Sequence, residues 1–256
     1  MNKLKYIGII PARYDSTRFP GKPLAMIGGK MMIQRVWERV SSVLEHVIVA
    51  TDDERIIKAV ESFGGEAVMT SKEHRSGTDR CNEAYIKAGN GEDVIINIQG
   101  DEPFIMPEQI TGVMKCFDDS TTQIATLVRP FSAERSYQEL EDWTTPKVVV
   151  SEDMTALYFS RSVIPFVRGK EVKDWAQVHQ FYTHVGMYAY RAEVLNEITK
   201  LPQSSLELAE SLEQLRWLQN GYKIKVGTTD CPTIGIDTPE DLQKAESLLV
   251  GKKNIK

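Results

Sequence analysis

The chain has 256 residues, 41% of them hydrophobic and 26% charged, enough for one large α/β domain with a sizeable core. Its 31 basic and 36 acidic residues leave a net charge of −5, which argues against a general nucleic-acid binder but not against a small anionic ligand. Three scattered cysteines suit a reducing compartment; with no signal peptide and no stretch of membrane-spanning length, a soluble, cytoplasmic protein is expected.

Residues 6–10 read as a buried first strand. The loop after it, residues 11–23, carries Arg13, Arg18 and Lys22 beside Ser16, Thr17 and Gly21, and prolines stiffen it. At the carboxyl end of a strand in an open α/β sheet, such a loop can wrap a triphosphate. Three cations meet the charge, while hydroxyls and backbone N–H groups donate to the oxygens. The plainer alternative is a solvated basic loop. It is not a Walker A loop, because a proline follows Gly21-Lys22.

The spacing of Ile33, Val36, Trp37, Val40 and Leu44 predicts a helix, followed by a short buried strand over residues 47–51. Asp52 or Asp53 can cap the next helix, which Gly64-Gly65 stops. Residues 67–69 form a third strand. A helix starting near Thr78 buries Cys81, Ala84 and Tyr85. The run from His74 to Arg80 ahead of it offers Ser76 and Thr78 to a base edge or phosphate, or simply caps the helix. Residues 94–98 have no polar face, as in a parallel strand covered on both sides. Pro107 opens a helix carrying Ile110, Val113, Met114 and Phe117. Strands alternating with helices in this way mean a mostly parallel, doubly wound sheet.

Gln99-Gly100-Asp101-Glu102-Pro103 follows the fourth strand, at the same sheet edge as the basic loop. Asp101 there can hold Mg²⁺ bridged to phosphates, or is a routine turn residue. From about Asp118 the pattern changes to strands over residues 124–128, 147–150, 156–159 and 185–190, a mixed-sheet extension with a polar loop over 167–180. Arg161 can clamp a substrate carboxylate. His184 stands at a strand start, more often a structural position, with Tyr188 beyond it. Leu208, Leu212, Leu215 and Leu218 mark one strong helix. Its Glu207, Glu210, Glu213 and Gln214 are expected mostly on a solvated face, with one or two turned towards a polyol. A strand over 223–227 and a last helix opened by Thr238-Pro239-Glu240-Asp241 complete the chain, with a frayed tail from Gly251. Asp237 is either a second metal carboxylate or that helix's N-cap. No Ser-His-Asp, Cys-His or zinc spacing supports covalent or zinc chemistry.

Eight runs, in order over nearly the whole chain, carry a resemblance. They are residues 10–23 (IPARYDSTRFPGKP), 49–53 (VATDD), 76–80 (SGTDR), 97–103 (NIQGDEP), 156–165 (ALYFSRSVIP), 184–191, 212–216 (LEQLR) and 235–242 (GIDTPEDL). The chain resembles the 3-deoxy-manno-octulosonate (Kdo) cytidylyltransferase family. That resemblance implies a nucleotide-diphospho-sugar transferase-like α/β fold and a homodimer that joins CTP and Kdo into CMP-Kdo and pyrophosphate, for lipopolysaccharide synthesis, with Mg²⁺. By position it implies that Arg13, Ser16, Arg18 and Lys22 hold the triphosphate, with Lys22, Arg13 and Asp101 catalytic. Ser76, Thr78 and Arg80 lie around the cytidine, and Gln99 near the sugar. Asp101 and Asp237 bind magnesium, while Arg161, His184, Tyr188, Glu213 and Gln214 line the Kdo pocket. Residues 142–147 and 167–180 do not follow the family pattern. The whole chain, 1–256, is expected to be one domain: 1–130 mainly nucleotide-binding, 131–222 mainly sugar-binding and dimerisation, 223–256 returning to the main sheet. Three alternatives stay open: a sugar-1-phosphate nucleotidylyltransferase, an enzyme for 8-amino-Kdo or another 2-keto sugar acid, and a non-catalytic nucleotide sensor.

Overall fold

The structure, a computed structural model, describes residues 3–15 and 18–253. By packing, the chain divides into two units, Met1–Ile110 with Pro232–Lys256, and Thr111–Cys231.

In the first unit, β1 (Tyr6–Ala12) leads through a small hairpin, β2 (Met26–Ile27) and β3 (Lys30–Met31), into α1 (Met32–Ser41). Then follow β4 (His46–Thr51), α2 (Glu54–Ser62), β5 (Glu66–Met69), α3 (Gly77–Ala88), β6 (Val94–Asn97) and the first turn of α4 (Pro107–Lys115), which runs on past Ile110. The strands pair in parallel in the order β6-β1-β4-β5. Ile7, Ile9, Ile48, Val49, Ile95 and Ile96 are fully buried, so both strand faces are covered, and Val36 and Val40 of α1 are equally buried. A Cβ at Gly8 would stand 2.9 Å from Val40 and Leu44, so the absent side chain is what lets α1 lie close against β1. Asp53, not Asp52, caps α2, accepting from the Arg55 N–H, and Ser76 caps α3.

The second unit is mixed. β7 (Ile124–Pro130) leads through α5 (Tyr137–Leu140) to β8 (Lys147–Val150) and β9 (Ala156–Ser160). A short α6 (Trp175–Val178), β10 (Tyr182–Arg191), α7 (Ala192–Ile198), α8 (Ser205–Glu210), α9 (Gln214–Gln219) and β11 (Ile224–Thr228) follow. β7 lies between β10, antiparallel, and β11, parallel; β8 pairs with β10 and β9. The last helix, α10 (Pro239–Lys253), packs with the first unit.

The doubly wound sheet with a mixed extension matches the expected class, and four local readings need correction. The leucine-bearing segment is two helices, because Ser211 takes a left-handed conformation (φ 52°) between α8 and α9. The stretch 167–180 is not all loop: the indole of Trp175 is buried with Phe131, Leu140 and Phe181, and α6 forms around it. The strand expected over 185–190 starts at Tyr182, where pairing to β7 begins. Helix α10 runs through the start of the expected frayed tail, whose residues 254–256 lie outside the described residues.

Candidate active site

From β1 the chain winds outward through β4 and β5, then returns to the opposite side of β1 as β6. In open α/β sheets the crevice outside the carboxyl ends at such a reversal binds ligands. Here a cavity of about 310 Å³ is lined by Arg13, Arg18, Lys22, His74, Arg75, Ser76, Arg80, Gln99, Asp101 and Asp237. Of the residues assigned to the nucleotide and metal, Ser16 lies outside the described residues. Thr78 does not reach the cavity: one helical step past Gly77 turns it into the core, where it is buried.

Lys22 joins the cavity's two acidic segments. Gly21, in the left-handed region (φ 72°), turns the chain into a 3₁₀ turn over Lys22–Leu24. The Lys22 ammonium donates to Asp101 Oδ2 at 2.7 Å and to Asp237 Oδ1 at 3.1 Å. Arg18 adds an ion pair to Asp237 at 3.1 Å, and the Ile236 N–H donates to the Asp101 carbonyl at 3.0 Å. Lys22 thus reaches a carboxylate 215 positions away in the chain and another 79 positions away. Asp237 is not the N-cap of α10. Thr238 fills that role: its hydroxyl accepts the Asp241 N–H at 3.2 Å and its own N–H donates to Asp241 at 3.1 Å. Two carboxylates gathered on one positive charge form the donor set that Mg²⁺ takes together with phosphate oxygens, so these residues fit such an ion.

Glu102, beside Asp101, is pushed up to about 7 by burial and, secondarily, by the Asp101 charge. A carboxyl raised above its unfolded value contributes stability at low pH that is lost as pH rises through about 7. Glu102→Gln is therefore expected to gain thermal stability over the parent between pH 5 and pH 8; a constant difference across that range would contradict it.

The Ser76 side of the cavity is held from behind. Ser76 both caps α3, accepting from the Asp79 N–H at 3.1 Å, and lines the cavity, so its two readings are compatible. The Arg80 guanidinium, nearly buried, donates to Asp52 at 2.7 Å and to the Thr70 hydroxyl at 2.6 Å. Asp52, His74 and Arg75 were not assigned to the site from sequence. The signals were there: an acid directly after a buried strand, and a basic pair ahead of Ser76.

Within the second unit a β-bulge between Val185 and Tyr188 folds β10. Four residues of regular strand span roughly 13 Å, yet the rings of His184 and Tyr188 lie 5.2 Å apart. Burial pushes the His184 imidazole down to about 3, so it is neutral, and its Nε2 lies 3.0 Å from the Thr126 hydroxyl. Tyr188 is raised well above its usual value, first by burial, then by Tyr190 and Glu213. The Tyr188 ring meets Trp217 edge-on at 5.1 Å. The Tyr188 hydroxyl, Gln214 Nε2 and Trp217 Nε1 are buried with no hydrogen-bond partner among the described residues. Arg161 is placed differently from a free clamp. Its guanidinium donates to the carbonyls of Glu210 at 2.6 Å, Trp143 at 3.0 Å and Ser211 at 3.2 Å, bracing the break between α8 and α9. Nor do the glutamates form a solvated face: Glu207 is buried in a bidentate pair with Arg216, and Glu210 accepts from Ser160 and the Arg161 N–H.

The chain is a nucleotidyltransferase, and the cationic loop facing two carboxylates at the switch point of its parallel sheet is its candidate active site. The family model described as Cytidylyltransferase matches residues 7–224. The 3-deoxy-manno-octulosonate cytidylyltransferase of Bacteroides thetaiotaomicron is 63% identical over 246 residues, covering 96% of this chain and 98% of that protein. The protein of the same name from Parabacteroides distasonis is 64% identical over 250 residues, covering 97% and 100%. The solved structure of CMP:2-keto-3-deoxy-manno-octonic acid synthetase complexed with CTP is 44% identical, with a TM-score of 0.88 over 97% of this chain and 99% of that one. The 4-diphosphocytidyl-2C-methyl-D-erythritol synthase of Anaerococcus prevotii, at 15% identity and a TM-score of 0.60 over 96% of each chain, shares the fold. The chain belongs to the 3-deoxy-manno-octulosonate cytidylyltransferase family.

Proposed function

We propose that this enzyme transfers CMP from CTP to Kdo, releasing pyrophosphate, as a cytoplasmic homodimer that uses Mg²⁺ and supplies lipopolysaccharide synthesis. The observation that carries the reading is the convergence of Asp101 and Asp237 on Lys22, beside Arg13 and Arg18, at the mouth of the parallel sheet. Relatives named for this reaction at over 60% identity support the substrate pair.

The anomeric hydroxyl of Kdo attacks the α-phosphorus in line; its O–P bond forms as the bond to pyrophosphate breaks, and the hydroxyl proton passes to solvent. Such chemistry needs positioning and charge stabilisation more than a nucleophilic side chain. Arg13, Arg18 and Lys22 bind the triphosphate, and Lys22 and Arg13 stabilise charge growing on the leaving pyrophosphate. Ser76 and Arg80 flank the nucleoside, Arg80 fixed in place by Asp52. Gln99 meets the sugar. A magnesium ion held by Asp101 and Asp237 would supply Lewis-acid polarisation of the phosphate oxygens.

For the sugar, the Tyr188 hydroxyl and Gln214 Nε2 support a polyol site, because each donor buried without a partner among the described residues costs about 1–3 kcal/mol that substrate hydroxyls can recover. His184 and Glu213 complete it in this reading, while Arg161 acts by holding the α8–α9 break. Exposed Trp143 and Phe166, at 66% and 74%, flank an apolar hollow with Trp175, which supports this face of the second unit as the dimer contact. The test is pyrophosphate release from CTP with Kdo, set against other nucleotides, sugar 1-phosphates and 8-amino-Kdo. Release above background is expected with CTP and Kdo; a preference for a sugar 1-phosphate would overturn the reading.

A further inference from the structure

The VATDD run places two acids after β4, and only Asp52 is explained by the cavity, through Arg80. Asp53 does two things at once. Its Oδ1 accepts the Arg55 backbone N–H at 2.9 Å, which caps α2, and also the Arg55 Nε–H at 2.8 Å, while Oδ2 accepts Nη2–H at 2.6 Å. The cap alone would need only the first of these bonds. The other two make a fork-on-fork pair that fixes the plane of the guanidinium. That plane lies against the Tyr14 ring, with Cζ 3.3 Å from the ring centroid. Arg55 and Tyr14 are not among the residues lining the cavity, so any effect on the nucleotide passes through the loop.

Tyr14 is where the basic loop closes. Its carbonyl accepts the Gly21 N–H at 2.9 Å, and a Cβ at Gly21 would meet the Tyr14 hydroxyl oxygen at 3.1 Å, so the ring lies against that turn. Gly21 in turn accepts the Leu24 N–H at 2.9 Å, which forms the 3₁₀ turn holding Lys22. A continuous line of contacts therefore runs from Asp53 through Arg55, Tyr14 and Gly21 to the ammonium between Asp101 and Asp237.

We propose that Arg55 is a positioning residue for the triphosphate loop: gripped by Asp53 and stacked on Tyr14, it holds the Tyr14–Gly21 closure that presents Arg18 and Lys22 to the nucleotide. This rests on the reading of the cavity as a CTP site. A solvent-exposed guanidinium on an aromatic face changes an equilibrium by roughly two- to fivefold, and the expected effects have that size. The loop's ordering cost moves to the moment of nucleotide binding when Arg55 is lost.

The experiment compares the parent, Arg55→Ala, Arg55→Lys, Tyr14→Leu and the Arg55→Ala/Tyr14→Leu pair. Steady-state kinetics and trypsin cleavage of the nucleotide-free protein at the Arg18–Phe19 bond are read together, with thermal unfolding alongside. Arg55→Ala is expected to raise the KM for CTP two- to fivefold, leaving kcat and the KM for Kdo within error. It should speed cleavage at that bond by a similar factor, with CTP protecting. Arg55→Lys, which keeps the charge without the fork, should behave like Arg55→Ala, and the double variant should be no worse than either single one. Unchanged cleavage, additive losses in the double variant, or faster cleavage along the whole chain with a lowered Tm would each overturn the proposal. If the parent does not turn over CTP, the functional reading fails while the cleavage comparison still decides the role of Arg55.

Discussion

Lys22→Ala is expected to lower turnover roughly a hundredfold to a thousandfold, the loss seen when one preorganised donor to a developing anion is removed. The side chain is 13% exposed and bonded to Asp101 and Asp237; an ion taken up by those two carboxylates would free the ammonium for the triphosphate. Its removal takes one of three cations from the triphosphate and leaves Asp101 and Asp237 facing each other with Arg18 as the remaining counter-charge. The drop should appear in kcat with CTP saturating. Turnover within a few-fold of the parent would remove Lys22 from the catalytic group.

A comparable effect is expected on stability, within the second unit. Arg216→Met leaves the Glu207 carboxylate buried without its partner, and breaking a buried pair in this way costs about 3–5 kcal/mol. In the parent, burial alone would raise the Glu207 carboxyl, but two hydrogen bonds from Arg216 and the Ser204 N–H reverse this and hold it below the ordinary range. A depressed carboxyl contributes stability that is present above its unfolded pKa and lost as pH falls through its lower folded pKa. Without Arg216 the sign inverts: the raised carboxyl takes up a proton, and the variant recovers as pH falls. Urea unfolding at pH 7 and pH 4.5 should show a wide gap that narrows in acid. Equal gaps at both values would mean that lost packing, not the uncompensated charge, sets the cost.

The first half of the fold was legible because parallel strands such as residues 94–98 are apolar on both faces, and their flanking loops fall by topology at one sheet edge. That makes Arg13, Arg18, Lys22 and Asp101 neighbours by topology alone. Asp237 was harder: an acid before Thr-Pro-Glu-Asp reads equally well as a cap, and only the Thr238–Asp241 box releases it towards Lys22. Helix α8–α9 was misread because leucine spacing continues across Ser211, whose left-handed backbone leaves no mark in the periodicity. The burial of Glu207 was hidden for the same reason: the turn that brings Arg216 back to it is the break itself. Arg55 was invisible because a cation at the second position of a helix looks like ordinary helix surface. Its partner, Tyr14, stands in a loop whose closure only coordinates reveal.

In the proposed reaction, two carboxylates brought together by the fold form the metal-holding half of a CTP site. The most direct test is a magnesium titration of pyrophosphate release from CTP and Kdo, run on the parent, Asp101→Asn and Asp237→Asn. Both variants are predicted to need at least about tenfold more Mg²⁺ for half-maximal release, each having lost one of the carboxylate ligands this ion favours. Magnesium curves that superimpose on the parent for both variants would contradict the account.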